Sequence, residues 1–249
     1  MWLVRKLVFF AVGLVTYPFL AWVNRLSFSG VEHLRGLPRG NVLFVSNHQT
    51  YFADVIALMH IFGAVPWGKV NRLGFPSYLI NPYTRVNYVA AEQTMSATWL
   101  SRFFTLGGAI TVKRTWHAAG QETLKGLDSS DIRKITRPLA SNWVITFPQG
   151  TTTPFAPGRK GTALIIKHSK PVVIPVVISG FAEAFDKQKL KLRKKGVALS
   201  VTFKAPLVVD YGASTEAILA QIMEAIEQKA PAAKPSEEES EGQGLPLEA

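Results

Sequence analysis

Short runs of β-branched and aromatic residues recur along the middle of the chain, and segments of helical character separate them. These runs predict strands near residues 41–46, 86–90, 109–113, 143–147, 172–178 and 197–204. The intervening segments predict helices near residues 52–62, 97–106, 117–126, 129–140, 160–169 and 214–229. Such alternation is typical of an α/β fold, in which helices flank a layered central sheet. Residues 63–85, with three prolines, predict an irregular excursion from this core.

The segment from Leu7 to Val23 carries no charged side chain, and cationic residues flank it on both sides. Its 17 residues stand at the lower limit for a helix that crosses a bilayer of about 30 Å. Aromatic residues near both ends are typical of a segment at a membrane–water interface. We predict an N-terminal membrane-associated helix within residues 1–30. A cleaved secretory signal and a buried helix of a soluble domain are the alternatives.

The last 19 residues, 231–249, contain five acidic residues and one lysine but no aromatic residue, which predicts a disordered acidic tail. The remainder, residues 1–230, has 27 basic and 12 acidic residues. A body this basic attracts anionic partners, such as acidic lipid, phosphorylated small molecules or nucleic acid. We therefore predict one folded domain over residues 31–230, between the N-terminal segment and the tail.

The chain contains no cysteine, which excludes disulfides, thiolate nucleophiles, Cys-based zinc sites and iron–sulfur clusters. Its five histidines are scattered along the sequence without a spacing typical of a metal site. These residues therefore suggest no metal site.

The stretch SNHQTYFADV, residues 46–55, contains His48 and Asp54 in otherwise apolar surroundings. On a continuous helix a separation of six residues turns two side chains roughly 240° apart, so the two do not share a helical face. We expect a turn at His48 and a helix that begins near Thr50 or Tyr51, which brings Asp54 back onto His48. A carboxylate so placed orients an imidazole that acts as a general base. The alternative is a structural histidine beside an ordinary helix-start acid.

Three further segments follow in order: GGAITVKR at 107–114, FPQGT at 147–151 and PVVIPVVI at 171–178. Together with the His48 segment they resemble the four ordered motifs of the glycerolipid acyltransferase family, whose best-known bacterial branch is 1-acyl-glycerol-3-phosphate acyltransferase. The resemblance covers roughly residues 40–206. It implies a glycerol-3-phosphate acyltransferase-like α/β fold and makes residues 31–230 the acyltransferase domain.

The resemblance implies that His48 is the general base and that Asp54 orients it. The deprotonated acceptor hydroxyl then attacks the thioester of acyl-CoA or acyl-carrier protein, without a covalent acyl-enzyme and without a cofactor. Most members have four residues between these two side chains, whereas this chain has five. Its turn must therefore accommodate one extra residue.

In the second motif the resemblance implies that Arg114 binds the acceptor's phosphate, for which a planar guanidinium is chemically suited. A solvated cation at the end of a strand is the alternative. The third motif departs from the family, which usually has a glutamate where this chain has Gln149 and an arginine where it has Thr152. The resemblance still implies that Gln149, Gly150 and Thr151 contact the acceptor.

Two cations lie close to the third motif and are candidates for the missing phosphate contact. Arg159 and Lys160 belong to an APGRKG turn, and Gly and Pro residues form loops that approach a ligand closely. Alternatively, the acceptor lacks a phosphate, as a lyso-aminolipid or a pigment alcohol would.

The fourth motif, residues 171–178, predicts a buried strand that lines the acyl-binding region, and an ordinary core strand is the alternative. The run from Lys187 to Lys195 holds six cations in nine residues, with Leu190 and Leu192 among them. These leucines fit a membrane surface better than nucleic acid, for which stacking aromatic residues are expected.

The sequence thus predicts a membrane-associated O-acyltransferase that acylates a lysophosphatidate-like lipid acceptor in phospholipid synthesis. Its expected partners are the lipid acceptor, acyl-CoA or acyl-carrier protein, and a membrane surface with anionic lipid, but no nucleic acid. The cationic flanks of the first segment favour the cytoplasmic face of the inner or plasma membrane. The alternatives are an acyltransferase for a non-phosphate acceptor and a non-catalytic membrane or nucleic-acid binder on the same scaffold.

Overall fold

A computed structural model describes residues 2–96, 99–113 and 129–229 of the chain. It contains a sheet of seven strands: β1 (Ser27–Ser29), β2 (Val42–Ser46), β3 (Val86–Ala91), β4 (Ala109–Val112), β5 (Trp143–Thr146), β6 (Val172–Ser179) and β7 (Ser200–Phe203). Their order across the sheet is β1-β7-β6-β2-β5-β3-β4. Neighbouring strands run parallel except for the antiparallel pair β6–β7.

The helices lie at both ends of the chain and between the strands. They are α1 (Trp2–Pro18), α2 (Ala53–Ala64), α3 (Glu92–Ser96), α4 (Trp99–Thr105), α5 (Ser129–Leu139), α6 (Lys160–Ser169), α7 (Phe181–Ala184) and α8 (Thr215–Ala225). Helix α1 continues as a π-helix over Phe19–Val23, directly after Pro18, which has no backbone N–H to donate.

The predicted α/β architecture is confirmed, and all six predicted strands are present. The seventh strand, β1, escaped prediction because its sequence SFS is short and has no β-branched residue. The five-residue helix α3 also escaped prediction. The helix predicted at 117–126 lies outside the described residues. After the end of α2 at Ala64, the excursion at 63–85 contains short 3₁₀ turns at Val65–Trp67 and Pro76–Leu79 and an isolated β-bridge between Arg72 and Ser27.

The sheet is covered by helices on both faces, and strand β2 shows this in its own alternation. Val42 and Phe44 pack into a core with α1 and α2, whereas Leu43 and Val45 pack into a second core with α5, α6 and α8. All four side chains are fully buried. A strand buried on both faces carries a continuous apolar run, and this explains the sequence VLFV.

Parallel strands place the loops that follow them along one edge of the sheet. Strand β2 pairs with β5 on one side and with β6 on the other, so that Val45 lies opposite Thr146 and Pro175. The segments after β2 and β5, which contain the first and third motifs, therefore meet at this carboxyl edge. Ligand sites of open α/β sheets form at such edges.

Helix α1 packs against the body through one stripe of its surface. Val8, Phe9, Thr16 and Tyr17 are buried along it. Gly13 lies in the same stripe, and a Cβ at this position would come within 2.5 Å of the Leu79 side chain. A glycine is therefore required for α1 to approach the segment after α2 this closely.

A chain of buried polar side chains joins α1 to α2. The Thr16 hydroxyl donates to the Val12 carbonyl at 2.8 Å and accepts from His60 Nε2 at 2.9 Å. The Tyr78 hydroxyl lies 2.7 Å from His60 Nδ1 and donates to it. Burial lowers the pKa of His60 to about 3, so its imidazole is neutral. Each polar group in the chain thus has a partner, as buried polar groups require.

The opposite stripe of α1 is apolar and exposed. It includes Leu3, Leu7, Phe10 and Leu14, which recur at helical spacing, and Trp22 follows in the π-helical extension. Within the described residues, Trp2–Val23 is the one helix long and apolar enough to cross a membrane.

Candidate active site

The turn after β2 begins with an asparagine that ties it to the neighbouring strand. Asn47 Nδ2 donates to the Ile178 carbonyl at 2.8 Å, and Asn47 Oδ1 accepts from the Ile178 N–H at 2.7 Å. Gln49 Oε1 accepts from the Phe181 N–H at 2.8 Å. These bonds hold the backbone on both sides of His48 against β6 and the residues that follow it.

The predicted contact between His48 and Asp54 is present. His48 Nδ1 lies 2.9 Å from Asp54 Oδ2, and Asp54 is fully buried at the start of α2. A carboxylate accepts from Nδ1–H, which leaves Nε2 as the unprotonated nitrogen of the neutral ring. This is the geometry of an oriented general base.

Backbone donors surround the same carboxylate. Asp54 Oδ2 accepts from the N–H groups of Gln49 at 2.6 Å and Thr50 at 3.0 Å. The Thr50 hydroxyl donates to Asp54 Oδ1 at 2.7 Å. The longer spacing of this motif is thus accommodated by a turn whose N–H groups point at the carboxylate. The helix begins at Ala53, later than the predicted start at Thr50 or Tyr51.

The His48 ring stacks against the third motif. Its centroid lies 3.9 Å from that of Phe147, with 22° between the planes, and 6.3 Å from that of Tyr51. The side chain of His48 is only 13% exposed. Two aromatic rings therefore restrict the imidazole while Asp54 fixes its edge.

Gln149 faces the interior of its loop and is 2% exposed. Its Nε2 donates to the Ala156 carbonyl at 3.0 Å and to Gln228 Oε1 at 3.1 Å. Gln228 Oε1 also accepts from the Phe155 N–H at 2.9 Å. The amide nitrogen of Gln149 thus holds the loop to the residues after α8, and the contact between Gln149 and the acceptor stays a prediction.

Gly150 and Arg159 lie against each other in this loop. Gly150 has a φ of +62°, and a Cβ there would lie 2.9 Å from Nε and Cζ of Arg159. Both the left-handed backbone and the close approach require glycine. The Arg159 N–H donates to the Pro148 carbonyl at 2.9 Å, so the guanidinium belongs to the same loop as the third motif. Thr151 is half-buried beside it.

Lys160 is turned toward helix α8. Its Nζ lies 2.5 Å from Glu216 Oε1, and both side chains are exposed. The hydrogen bond that Lys160 donates to Glu216 lowers the pKa of this carboxyl group. Arg114 lies outside the described residues. Whether either cation binds the acceptor stays a prediction.

A model of the family described as Acyltransferase matches residues 25–179, more than half of the chain. The chain belongs to the acyltransferase family. The matched range contains β1 to β6 and the turn with His48 and Asp54. The family inferred from the four motifs is therefore confirmed.

Among solved structures, this acyltransferase is similar to the crystal structure of the 1-acyl-sn-glycerophosphate (LPA) acyltransferase PlsC from Thermotoga maritima. The two share 16% sequence identity with a TM-score of 0.53, over 90% of this chain and 78% of that one. At this identity the likeness supports the fold. No curated protein sequence matches the chain significantly.

An apolar cavity that is partly open to solvent begins beside the His48 turn of this acyltransferase. Tyr51 and Phe52 line its near end, and one face of α2 from Phe52 to Gly63 continues it over roughly 16 Å. The remaining walls come from α1, the segment before β3, Tyr88 on β3 and the residues around α4, with the lining side chains Val8, Phe9, Val12, Tyr78, Leu79, Pro82 and Phe104.

The buried strand predicted for the fourth motif is present as β6, and its role as a wall of the acyl region stays a prediction. Strand β6 lies in the middle of the sheet between β2 and β7 and is buried, and the described cavity lining includes none of its residues. Its Val-rich sequence reflects burial on both faces.

Sequence reasoning missed the contribution of α1 to the cavity and the roles of Thr50 and Phe147. The role of Thr50 could have been predicted, because a threonine just before a helix often accepts a hydrogen bond from a backbone N–H of the first turn. Here the Thr50 hydroxyl accepts from the Asp54 N–H at 3.2 Å.

Proposed function

We propose that the protein transfers a fatty acyl group from acyl-CoA or acyl-carrier protein to a hydroxyl of a lysophosphatidate-like lipid, at a membrane surface. The observation that carries the proposal is the His48–Asp54 pair beside Tyr51, a residue that lines the apolar cavity. A base oriented for proton transfer and a site for an aliphatic chain are the two parts that acylation of a hydroxyl requires.

In this mechanism His48 Nε2 takes the proton of the acceptor hydroxyl as its oxygen attacks the thioester carbonyl. The carbon–sulfur bond then breaks, and the imidazolium returns the proton to the departing thiolate. Asp54 stabilises the imidazolium through the 2.9 Å contact with Nδ1. No redox or metal cofactor takes part, because the thioester already activates the acyl group.

The cavity suits the acyl chain of the donor or of the acceptor. Its walls are mostly aliphatic and aromatic. Among the lining side chains with polar groups, His60 and Tyr78 are paired with each other, and the Tyr88 hydroxyl donates to the Phe104 carbonyl at 2.7 Å. An aliphatic chain of the length of a fatty acid would bury its methylene groups there, at about 0.8 kcal/mol for each CH₂.

The phosphate of the acceptor would be bound by Arg114 together with Arg159. Arg159 is the candidate among the described cations because it lies against Gly150 of the third motif. A bidentate guanidinium suits a phosphate. A second candidate acceptor is a lipid without a phosphate, because the third motif supplies fewer cations than the family pattern.

Helix α1 would attach the enzyme to the membrane by lying on its surface. One stripe of α1 is held in the body by the buried hydrogen bonds of Thr16 and His60, and the opposite stripe is exposed and apolar. A helix with this division lies in the interface with its apolar face toward the acyl chains. The basic body then faces anionic headgroups.

Vesicle sedimentation tests this attachment. The double variant Leu14→Gln, Trp22→Gln should bind vesicles at least about tenfold more weakly, because it removes two exposed apolar side chains from α1. The matched control changes two exposed apolar residues elsewhere, Phe155→Gln with Val208→Gln. Equal binding of both variants would exclude α1 as the attachment site.

An acceptor panel tests the transfer reaction. The purified protein is given acyl-CoA or acyl-carrier protein with lysophosphatidate, with the matching monoacylglycerol or with a lyso-aminolipid, and products are identified by mass spectrometry. We expect acylation of lysophosphatidate with a kcat/KM at least about tenfold higher than that for monoacylglycerol, since a charge-assisted contact is worth about 1.5–3 kcal/mol. Preference for the lyso-aminolipid would contradict the acceptor. Transfer to none of the three by folded protein would contradict the function.

A further inference from the structure

A cluster of cations lies beside the His48 turn and takes no part in the mechanism above. It is the basic segment, residues 187–195, which contains Lys187, Lys189, Lys191, Arg193, Lys194 and Lys195. All six side chains are exposed.

Hydrogen bonds join the basic segment to the catalytic turn. The Tyr51 N–H donates to the Lys187 carbonyl at 2.8 Å, and the Tyr51 ring lies 6.3 Å from that of His48. Tyr51 also lines the near end of the apolar cavity. The segment therefore begins next to a residue that both lines the cavity and lies beside His48.

The basic segment is held in one conformation by its own backbone. Asp186 Oδ1 accepts from the N–H groups of Gln188 and Lys189, both at 2.9 Å. The Asp186 N–H donates to the Lys191 carbonyl at 2.8 Å, and the Arg193 N–H donates to the Ala184 carbonyl at 2.8 Å. The cations are thus presented on an ordered surface.

The two leucines of the segment pack partly onto the body of the protein. Leu190 and Leu192 are half-buried and pack against the core that contains α1 and α2. Their contribution to a membrane surface stays a prediction. The exposed side chains of the segment are charged or polar, and α1 already supplies an exposed apolar stripe.

Six exposed cations spread over nine residues match an extended acidic surface better than a single phosphate. Complementary charge of this kind steers a protein partner and fixes its orientation. Two carboxylates lie nearby, but Asp186 is bound to backbone N–H groups and Glu183 is paired with Lys194 at 2.5 Å. The surface thus remains strongly positive.

We propose that the basic segment is the docking surface for a carrier protein with an acidic face, which delivers its acyl thioester past Tyr51 to His48. This inference rests on the proposed acyl transfer and names the donor that the surface fits. Coenzyme A and anionic lipid are the competing partners, and the test separates them.

The test compares two triple variants with the same loss of charge. Lys189→Gln, Lys191→Gln, Arg193→Gln changes the basic segment, and Arg35→Gln, Arg133→Gln, Arg137→Gln changes exposed cations elsewhere. Both are assayed with acyl-carrier protein and with acyl-CoA, at low salt and at high salt. Binding to vesicles of anionic lipid is measured in parallel.

For the segment variant we expect about a tenfold higher KM for acyl-carrier protein at low salt, with kcat/KM for acyl-CoA within about twofold of the wild type. The difference should shrink at high salt, where the Debye length is only about 3 Å. The control variant should match the wild type with both donors.

An equal loss with acyl-CoA would overturn the proposal, and so would an equal loss in the control variant. Weaker vesicle binding with an unchanged KM for the carrier protein would assign the surface to anionic lipid and overturn it as well. Transfer by the wild type from acyl-CoA but never from carrier protein would also overturn it. Transfer from neither donor would instead contradict the proposed function.

Discussion

The imidazole of His48 and the phenyl ring of Phe147 are stacked, with their centroids 3.9 Å apart. The two residues lie just after separate strands, β2 and β5, that pair in the sheet. The third motif therefore supports the base of the first motif directly, in addition to any contact that it makes with the acceptor.

Loss of this stacking should impair the reaction more than the fold. We expect Phe147→Ala to lower kcat about tenfold, because the stacking of an aromatic pair is worth about 0.5–1.5 kcal/mol and holds the imidazole in place. Phe147→Tyr retains the ring and should keep most activity. Steady-state kinetics of both variants decide this, and a fully active Phe147→Ala would show that Asp54 alone positions the ring.

Removal of the Asp54 charge should affect both activity and stability. In Asp54→Asn the amide nitrogen replaces one acceptor, so that a donor among His48, Gln49 and Thr50 loses its partner in a buried site. We expect kcat to fall at least about a hundredfold. The free energy of unfolding should fall by about 1–3 kcal/mol.

Asp131→Asn is the matched control, because Asp131 is a buried acid on α5 that pairs with Lys134 at 2.8 Å. It should alter stability without a comparable loss of kcat. Urea unfolding and kinetic assays of both variants separate the two effects. Similar kcat losses in both variants would contradict an orienting role for Asp54.

A larger side chain in the cavity should change the preferred acyl chain. Met59 lines the cavity on the face of α2, and Met59→Phe should lower kcat/KM for long acyl donors relative to short ones by about tenfold, because each excluded methylene forfeits about 0.8 kcal/mol. Met223→Phe makes the same change in the core on the other face of the sheet. Chain-length profiles that shift equally in both variants would place the acyl chain elsewhere.

The neutral, buried His60 makes stability depend on pH. Its pKa is about 3 in the folded protein and about 6.5 in an unfolded chain, so below pH 6.5 the unfolded state binds the extra proton. The free energy of unfolding should therefore fall as pH drops from 6.5 toward 3, by up to about 1.4 kcal/mol for each pH unit.

His60→Gln removes this titration while it retains a polar side chain. Urea unfolding at pH 7, 5.5 and 4.5 should give a shallower pH dependence for the variant, since the other titrating groups are common to both proteins. Parallel curves would show that His60 is protonated or exposed in the folded state.

Features that depend on local sequence patterns could be predicted from the sequence. The β-branched runs predicted the strands, because a strand buried on both faces needs an unbroken apolar sequence such as VLFV in β2. The spacing of His48 and Asp54 also predicted their contact, since the two do not share a helical face and a turn brings them together.

Features that depend on contacts between distant segments could not be predicted from the sequence. The cavity needs α1 and α2 side by side, which no local pattern specifies. Gln149 bonds to Gln228, 79 residues away, and therefore faces inward. Leu190 and Leu192 alternate with cations, a pattern that fits a membrane surface or a core equally well. In the structure both side chains pack against the core.

The activity of a His48→Gln variant shows whether His48 is the general base. Thiol release from acyl-CoA and formation of acylated lysophosphatidate are measured for the wild type, for His48→Gln and for His33→Gln, a partly exposed histidine outside the site. We expect a loss of at least about a thousandfold in kcat for His48→Gln, with unchanged folding and vesicle binding, and wild-type activity for His33→Gln. Near-normal product formation by His48→Gln would contradict this role of His48.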